Sequence, residues 1–121
     1  MKLELNKYVN LNKPLTLTID DYELVLDKTV KTVLSVIEYF KKFEQEQDSK
    51  KSGVLTIEIL QLILGKKQYN DFIAYVEHKI TIDELGTLIL DIIDYWTQNT
   101  LNFTFYEGAD DEKKKELKQS I

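Results

Sequence analysis

The hydrophobic periodicity of this chain changes once, near Thr29, and that change limits the folds it can adopt. Before it, residues 15–19 and residues 22–26 each alternate between apolar and polar side chains. Alternation with period two indicates strands, and the acidic pair at 20–21 between them suits a tight turn. Because an isolated hairpin is marginally stable in water, its apolar face is predicted to lie on helices or to pair with strands of another subunit.

After Thr29 the apolar residues recur at helical spacing. The first helix is predicted to run to about Glu46, where a polar linker, QDSKKSG, ends it. A second helix, near residues 55–64, is apolar on almost every side, which is typical of a helix at the centre of a core or in an interface. Gly65 stands where a left-handed C-terminal cap is expected.

The last two helices are predicted from the same helical spacing of apolar residues. The third is predicted at about residues 68–79. In the fourth, Thr81 and Glu84 have the spacing of a capping box, and the residues after them match one helix face up to an end at about residues 97–99. Ile92 and Trp96 lie on that face and are expected to be buried. The segment LNFTFYEG at 101–108 alternates again and is compatible with a strand that joins the hairpin.

These elements predict an α+β fold that is mostly α, with an N-terminal β-hairpin followed by about four helices. The chain has 121 residues, which is enough to bury one core. We therefore expect a single helix-rich domain over residues 1–108. Residues 109–121 carry balanced charges and few apolar side chains, so they are expected to form a flexible tail.

The residues that usually carry chemistry are few. Cysteine is absent, and the sole histidine, His78, has no second imidazole to join it in a metal site. The acidic cluster of Asp20, Asp21 and Glu23 lacks the spacing and the glycine of a calcium loop. Four glycines form no phosphate-binding cluster. The sequence therefore predicts no catalytic residues, no metal and no cofactor, and favours a binding protein over an enzyme.

Charge and hydropathy indicate which partners to expect. The formal net charge is −5, and the lysine pairs at 41–42, 50–51 and 66–67 each have acidic residues nearby, so nucleic-acid binding is not expected. The longest apolar run is far shorter than the roughly 20 residues that a membrane span needs. Since the first residues do not resemble a signal peptide, a cytoplasmic protein is predicted.

Aromatic residues are numerous for this length, with seven Tyr, five Phe and one Trp. Several tyrosines sit beside core positions, where they either close the rim of the core or contact a partner. We predict partner binding through exposed apolar surface, either the face around Tyr69, Phe72 and Tyr75 or the rim at Tyr39 and Phe43.

The order of elements resembles the tail assembly chaperones of siphophages from Gram-positive hosts. The resemblance rests on the hairpin with its acidic turn, a long helix ending in KKFEQEQ, a hinge, and the stretch GKKQYNDFIAYVEHKITIDELGTLILDIIDYW. It covers about residues 14–97, and LNFTFYEG departs from it. It implies a helical, non-enzymatic phage or prophage protein in the host cell cytoplasm that binds tape measure and major tail proteins.

Two other functional classes agree with the same residues. One is a small regulator that uses the third and fourth helices, and the other is a small inhibitor from a mobile element that blocks another protein. The third and fourth helices of the regulator could form a helix-turn-helix, but the acidic face of the fourth helix argues against DNA recognition. Protein–protein binding is therefore the expected mode of action for both classes. The sequence also allows a homo-oligomer, since the hairpin edge could pair with a second copy.

Overall fold

A computed structural model of the chain describes residues 1–5 and 14–102. The elements are β1 (Leu15–Ile19), β2 (Tyr22–Leu26), α1 (Val30–Gln45), α2 (Ser49–Leu64), α3 (Lys66–Val76) and α4 (Ile82–Thr100). The predicted α+β architecture, a hairpin followed by four helices, is confirmed. Residues 103–121, which include most of the LNFTFYEG segment and the whole predicted tail, lie outside the described residues.

Strands β1 and β2 form an antiparallel hairpin with the predicted bounds. Leu17 faces Leu24 in the register, and Asp20 in the turn adopts a positive φ of 53°. Aspartate tolerates this left-handed conformation because its short polar side chain bonds locally. Leu24 and Leu26 are buried. The hairpin therefore packs its apolar face on the helices of the same chain, which is the first of the two arrangements that the sequence allowed.

Side chains from two helices occupy the outer edges of the hairpin. The Gln68 amide bonds the Val25 backbone twice: its Oε1 accepts from the N–H at 2.9 Å, and its Nε2 donates to the carbonyl at 2.7 Å. On the other edge, the Tyr95 hydroxyl donates to the Thr16 carbonyl at 2.9 Å. Val25 and Thr16 face each other in the register, so both outer edges of the hairpin are bonded to helix side chains at the same residue pair. Such contacts oppose pairing with a further strand.

Helix α2 is longer than the sequence predicted. The expected linker over residues 47–53 is wrong for most of its length, because α2 begins at Ser49. The Asp48 carboxylate caps it by accepting a 2.9 Å hydrogen bond from a backbone N–H two residues later. Ser52 and Gly53 are buried in the first turns. Capping and burial thus outweigh the weak helix propensity of these small residues.

Gly65 joins α2 to α3 without a loop. Its N–H donates to the Gln61 carbonyl of α2, and its own carbonyl accepts from the Tyr69 N–H of α3, both at 2.9 Å. The predicted positive φ is confirmed at 79°, but ψ is 152°, which is extended rather than left-handed helical. Because α3 starts directly after Gly65, it begins earlier than the predicted residue 68. It ends at Val76, before the predicted residue 79.

The beginning of α4 confirms the predicted capping box. The Thr81 hydroxyl accepts from the Glu84 N–H at 3.3 Å, and the Glu84 carboxylate accepts from the Thr81 N–H at 2.9 Å. These hydrogen bonds hold the pKa of Glu84 below its usual value. Ile92 and Trp96 are fully buried, as predicted. The helix continues to Thr100, slightly beyond the predicted end at residues 97–99.

Helix α2 lies at the centre of the molecule and packs against α1, α3, α4 and β2. This position explains why its sequence is apolar on almost every side. The buried apolar side chains of the described residues form one core: Leu24, Leu26, Val36, Phe43, Ile59, Leu60, Ile63, Leu64, Phe72, Val76, Ile89, Leu90, Ile92, Ile93 and Trp96.

Asp27, directly after the hairpin, connects four parts of the fold. Its N–H donates to the Ile63 carbonyl at 2.9 Å, and its carbonyl accepts from Trp96 Nε1 at 2.7 Å. Its carboxylate accepts from the Thr29 N–H at 2.8 Å and from the Thr32 hydroxyl at 2.7 Å. Burial alone would raise the pKa of this carboxyl, but these hydrogen bonds, together with the nearby Lys31, lower it overall.

The lowered pKa of Asp27 predicts a specific dependence of stability on pH. A carboxyl whose pKa is lower in the folded than in the unfolded chain stabilises the fold above its unfolded value of about 3.9, and this stabilisation is lost as the pH falls through the folded pKa. Asp27→Asn should therefore lower the free energy of unfolding at neutral pH, and the difference from the native chain should shrink below about pH 4.

Urea unfolding followed by circular dichroism at several pH values measures this difference. Asp91→Asn is the matched control, since Asp91 is an exposed carboxylate on α4. A deficit in Asp27→Asn that stays constant from neutral to acid pH would mean that the charge of Asp27 does not contribute.

Candidate functional site

The described residues contain neither a cluster of metal-ligating side chains nor a helix that could cross a membrane. Within residues 1–5 and 14–102, no group of three or more His, Asp or Glu side chains could hold a metal ion. His78 is exposed, with Nε2 3.3 Å from a Glu77 carboxylate oxygen. Over the same residues, no helix combines the length and the apolarity needed to cross a membrane.

The predicted aromatic face on α3 is only partly at the surface. Phe72 is fully buried, so the expectation that it lies on an exposed face is wrong. Tyr75 is half-buried and stacks on Tyr22 of the hairpin, with ring centroids 4.5 Å apart. Tyr69 is half-buried too, and burial raises the pKa of its hydroxyl. These two tyrosines close the rim of the core, and their contact with a partner stays a prediction.

The predicted rim on α1 divides in the same way. Phe43 is buried in the core, so its predicted exposure is wrong as well. Tyr39 is half-buried, and the Lys42 ammonium lies 4.8 Å from the centre of its ring. Burial and the negative charge of Glu58 on α2 raise the pKa of the Tyr39 hydroxyl. Tyr39 therefore lies where α1 and α2 meet, one helical turn before Lys42.

An open groove lies next to this tyrosine, between the end of α1 and the beginning of α2. We call it the α1–α2 groove. Its volume is about 650 Å³, and its lining residues are Lys42, Gln45, Glu46, Lys50, Lys51, Val54 and Leu55. Val54 is 55% exposed, and Leu55 beside it is half-buried. The groove thus presents apolar side chains to solvent, and the aliphatic stems of its lysines extend this surface.

The charge of the groove is opposite to that of the whole chain. Three lysines and one glutamate line it, while the chain has a formal net charge of −5. The glutamate, Glu46, accepts a 3.0 Å hydrogen bond from the Asp48 N–H. Among the described residues, the recorded ion pairs involve neither Lys50 nor Lys51. Within that part of the chain, no ion pair compensates the charge of these two lysines.

The sequence pattern does not indicate that the residues lining this groove lie close together. In the sequence, Lys41-Lys42 and Lys50-Lys51 are separate pairs with acidic residues nearby, and the second pair falls within the predicted linker. Once α2 begins at Ser49, two consecutive helices joined by a short connection place the end of one beside the start of the next. The cap at Asp48 is the signal that could have revealed it.

A second groove, of about 570 Å³, lies at the junction of α2 and α3 and is a useful contrast. Its lining lysines are Lys66 and Lys67. The ammonium of Lys67 is 3.2 Å from an Asp71 carboxylate oxygen, so part of the charge is compensated. Gln68 in its wall is already bonded to the hairpin. This groove is less suited than the α1–α2 groove to bind a charged partner.

Comparison of the chain with protein-family models, with curated proteins and with solved structures gives no significant match. We therefore infer function from the geometry and charge of the grooves and from the order of the elements.

Proposed function

We propose that this chain is a non-enzymatic binding protein that holds a segment of another protein in the α1–α2 groove. The observation that carries the proposal is the exposed Val54, placed beside Lys50 and Lys51 on a chain that is acidic as a whole. Exposed apolar surface with a polar rim is typical of sites that bind other proteins.

The more specific proposal is a tail assembly chaperone of a siphophage or prophage. It is supported by the resemblance over about residues 14–97, which includes the hairpin with its acidic turn and the capped helix α4. Such a protein acts in the host cell cytoplasm, where it binds tape measure and major tail proteins before they assemble. Binding alone suffices for this role, since a folded domain that covers the apolar segment of a partner shifts that partner away from aggregation.

Co-expression tests this function directly. The tape measure protein encoded by the same genome would be produced with this chain, with an empty vector, and with an unrelated acidic protein of similar size. We expect more tape measure protein in the soluble fraction only with this chain, and co-purification of the two. If the tape measure protein is equally insoluble in all three cases, the chaperone function is wrong.

A further inference from the structure

We infer that the α1–α2 groove takes an amphipathic helix of the partner protein that carries acidic side chains beside its apolar stripe. This inference rests on the proposed function and adds the chemistry of the partner. The groove is complementary to both parts of such a helix. The exposed Val54 can contact its apolar stripe, and the three lining lysines can contact its acidic side chains.

The lysines determine the charge of the partner. Lys50 and Lys51 lie in the first turn of α2, and Lys42 approaches from the last turn of α1 over the Tyr39 ring. Lysines from two helices thus converge on one concave surface, whereas the chain as a whole is negative. Complementary charge increases the association rate and excludes basic partners. Aspartate and glutamate side chains on the partner therefore suit this groove.

The walls of the groove determine the secondary structure of the partner. The walls are the last turn of α1 and the first turns of α2, and neither presents a strand edge. An extended peptide there would find no backbone partner for its own N–H and C=O groups, whereas a helix satisfies them internally. Within the described residues the strand edges lie elsewhere, and Gln68 and Tyr95 occupy them at the Thr16–Val25 pair. A helix in the groove is the mode that these walls favour.

A protein partner suits this surface better than a phosphate polymer or an anionic membrane. Both of those bind through many cations on an extended face, and each neutralised phosphate adds to the affinity. Here three lysines line a concave surface that also contains Val54, Leu55 and Glu46. An apolar centre with a charged rim is the arrangement that protein interfaces share.

Fluorescence anisotropy with two designed peptides tests the inference. Both are amphipathic helices of about 14 residues, roughly four turns, with leucines on one face. One carries glutamates beside the leucines and the other carries lysines. We expect the full chain to bind the acidic peptide and not the basic one, with an affinity that falls as salt rises.

Matched variants locate the site. Lys50→Glu/Lys51→Glu should weaken binding about tenfold, because it places like charges against the peptide. Lys66→Glu/Lys67→Glu is the control, since it reverses two adjacent lysines in the first turn of α3 and should change affinity by less than about twofold. Val54→Ser should weaken binding about fourfold, on the scale of one buried methylene group.

Equal effects of the two lysine pairs, or no binding of the acidic peptide, would overturn the inference. Binding of the chain to phosphatidylserine vesicles through Lys50 and Lys51, without binding of the peptide, would overturn it in favour of a membrane surface. The co-expression result is separate. If the tape measure protein becomes soluble and Lys50→Glu/Lys51→Glu does not change this, the chaperone function remains and this inference is wrong.

Discussion

Replacing Trp96 with Ala is expected to lower the free energy of unfolding by about 3–5 kcal/mol, the usual cost of removing a large buried aromatic side chain. The Trp96 side chain is fully buried in α4, and its Nε1 donates to the Asp27 carbonyl at 2.7 Å. The substitution therefore leaves a cavity in the core and removes the hydrogen bond between α4 and the end of the hairpin. Urea unfolding measured by circular dichroism is the appropriate method, because the variant lacks the sole tryptophan.

Two further variants separate the causes of this loss. Trp96→Phe keeps an aromatic ring in the core but removes the donor to Asp27, so its cost should be smaller than that of alanine. Asp91→Ala changes an exposed position of the same helix and should stay within about 0.5 kcal/mol of the native chain. A Trp96→Ala variant as stable as Asp91→Ala would mean that α4 does not pack through this side chain.

The elements that sequence reasoning located well are those with strong local signals. The hairpin bounds match because alternation and an acidic turn between residues 19 and 22 leave one register. The start of α4 matches because Thr81 and Glu84 satisfy each other's backbone groups, whatever packs around them. In both cases the decisive interactions join residues that are close in the chain.

The features that sequence reasoning did not predict depend on contacts between residues that are distant in the chain. Phe43 and Phe72 lie on the apolar faces of their helices, but periodicity does not tell which side of a face meets a neighbouring helix and which meets solvent. The start of α2 was missed because the burial of Ser52 and Gly53 depends on neighbouring elements. The α1–α2 groove is not predicted for the same reason, since Lys42 and Lys50 become neighbours only when both helices are in place.

The bond pattern at the junction of α2 and α3 shows what depends on Gly65. Its N–H ends α2 and its carbonyl begins α3, so no further residue separates the two helices. Because α3 begins at once, Gln68 is one turn away and reaches both the Val25 backbone and the Leu64 carbonyl. The conformation of one residue therefore positions the side chain that occupies the outer edge of β2.

Gly65→Ala is expected to lower the free energy of unfolding by about 1–3 kcal/mol, the cost of holding a non-glycine residue in a backbone conformation that glycine alone adopts readily. With φ of 79° and ψ of 152°, the strain is in the backbone itself, since a Cβ atom at this position would meet nothing within 4 Å. Thermal and urea unfolding of Gly65→Ala, compared with Asn70→Ala at an exposed position of α3, measure this cost.

Gly65→Asn tests the geometry further, because asparagine tolerates the left-handed helical conformation but not this extended one. We expect Asn to be about as costly as Ala. A stable Gly65→Asn variant would instead favour the left-handed cap that the sequence alone suggested, and α3 would then leave α2 at a different angle.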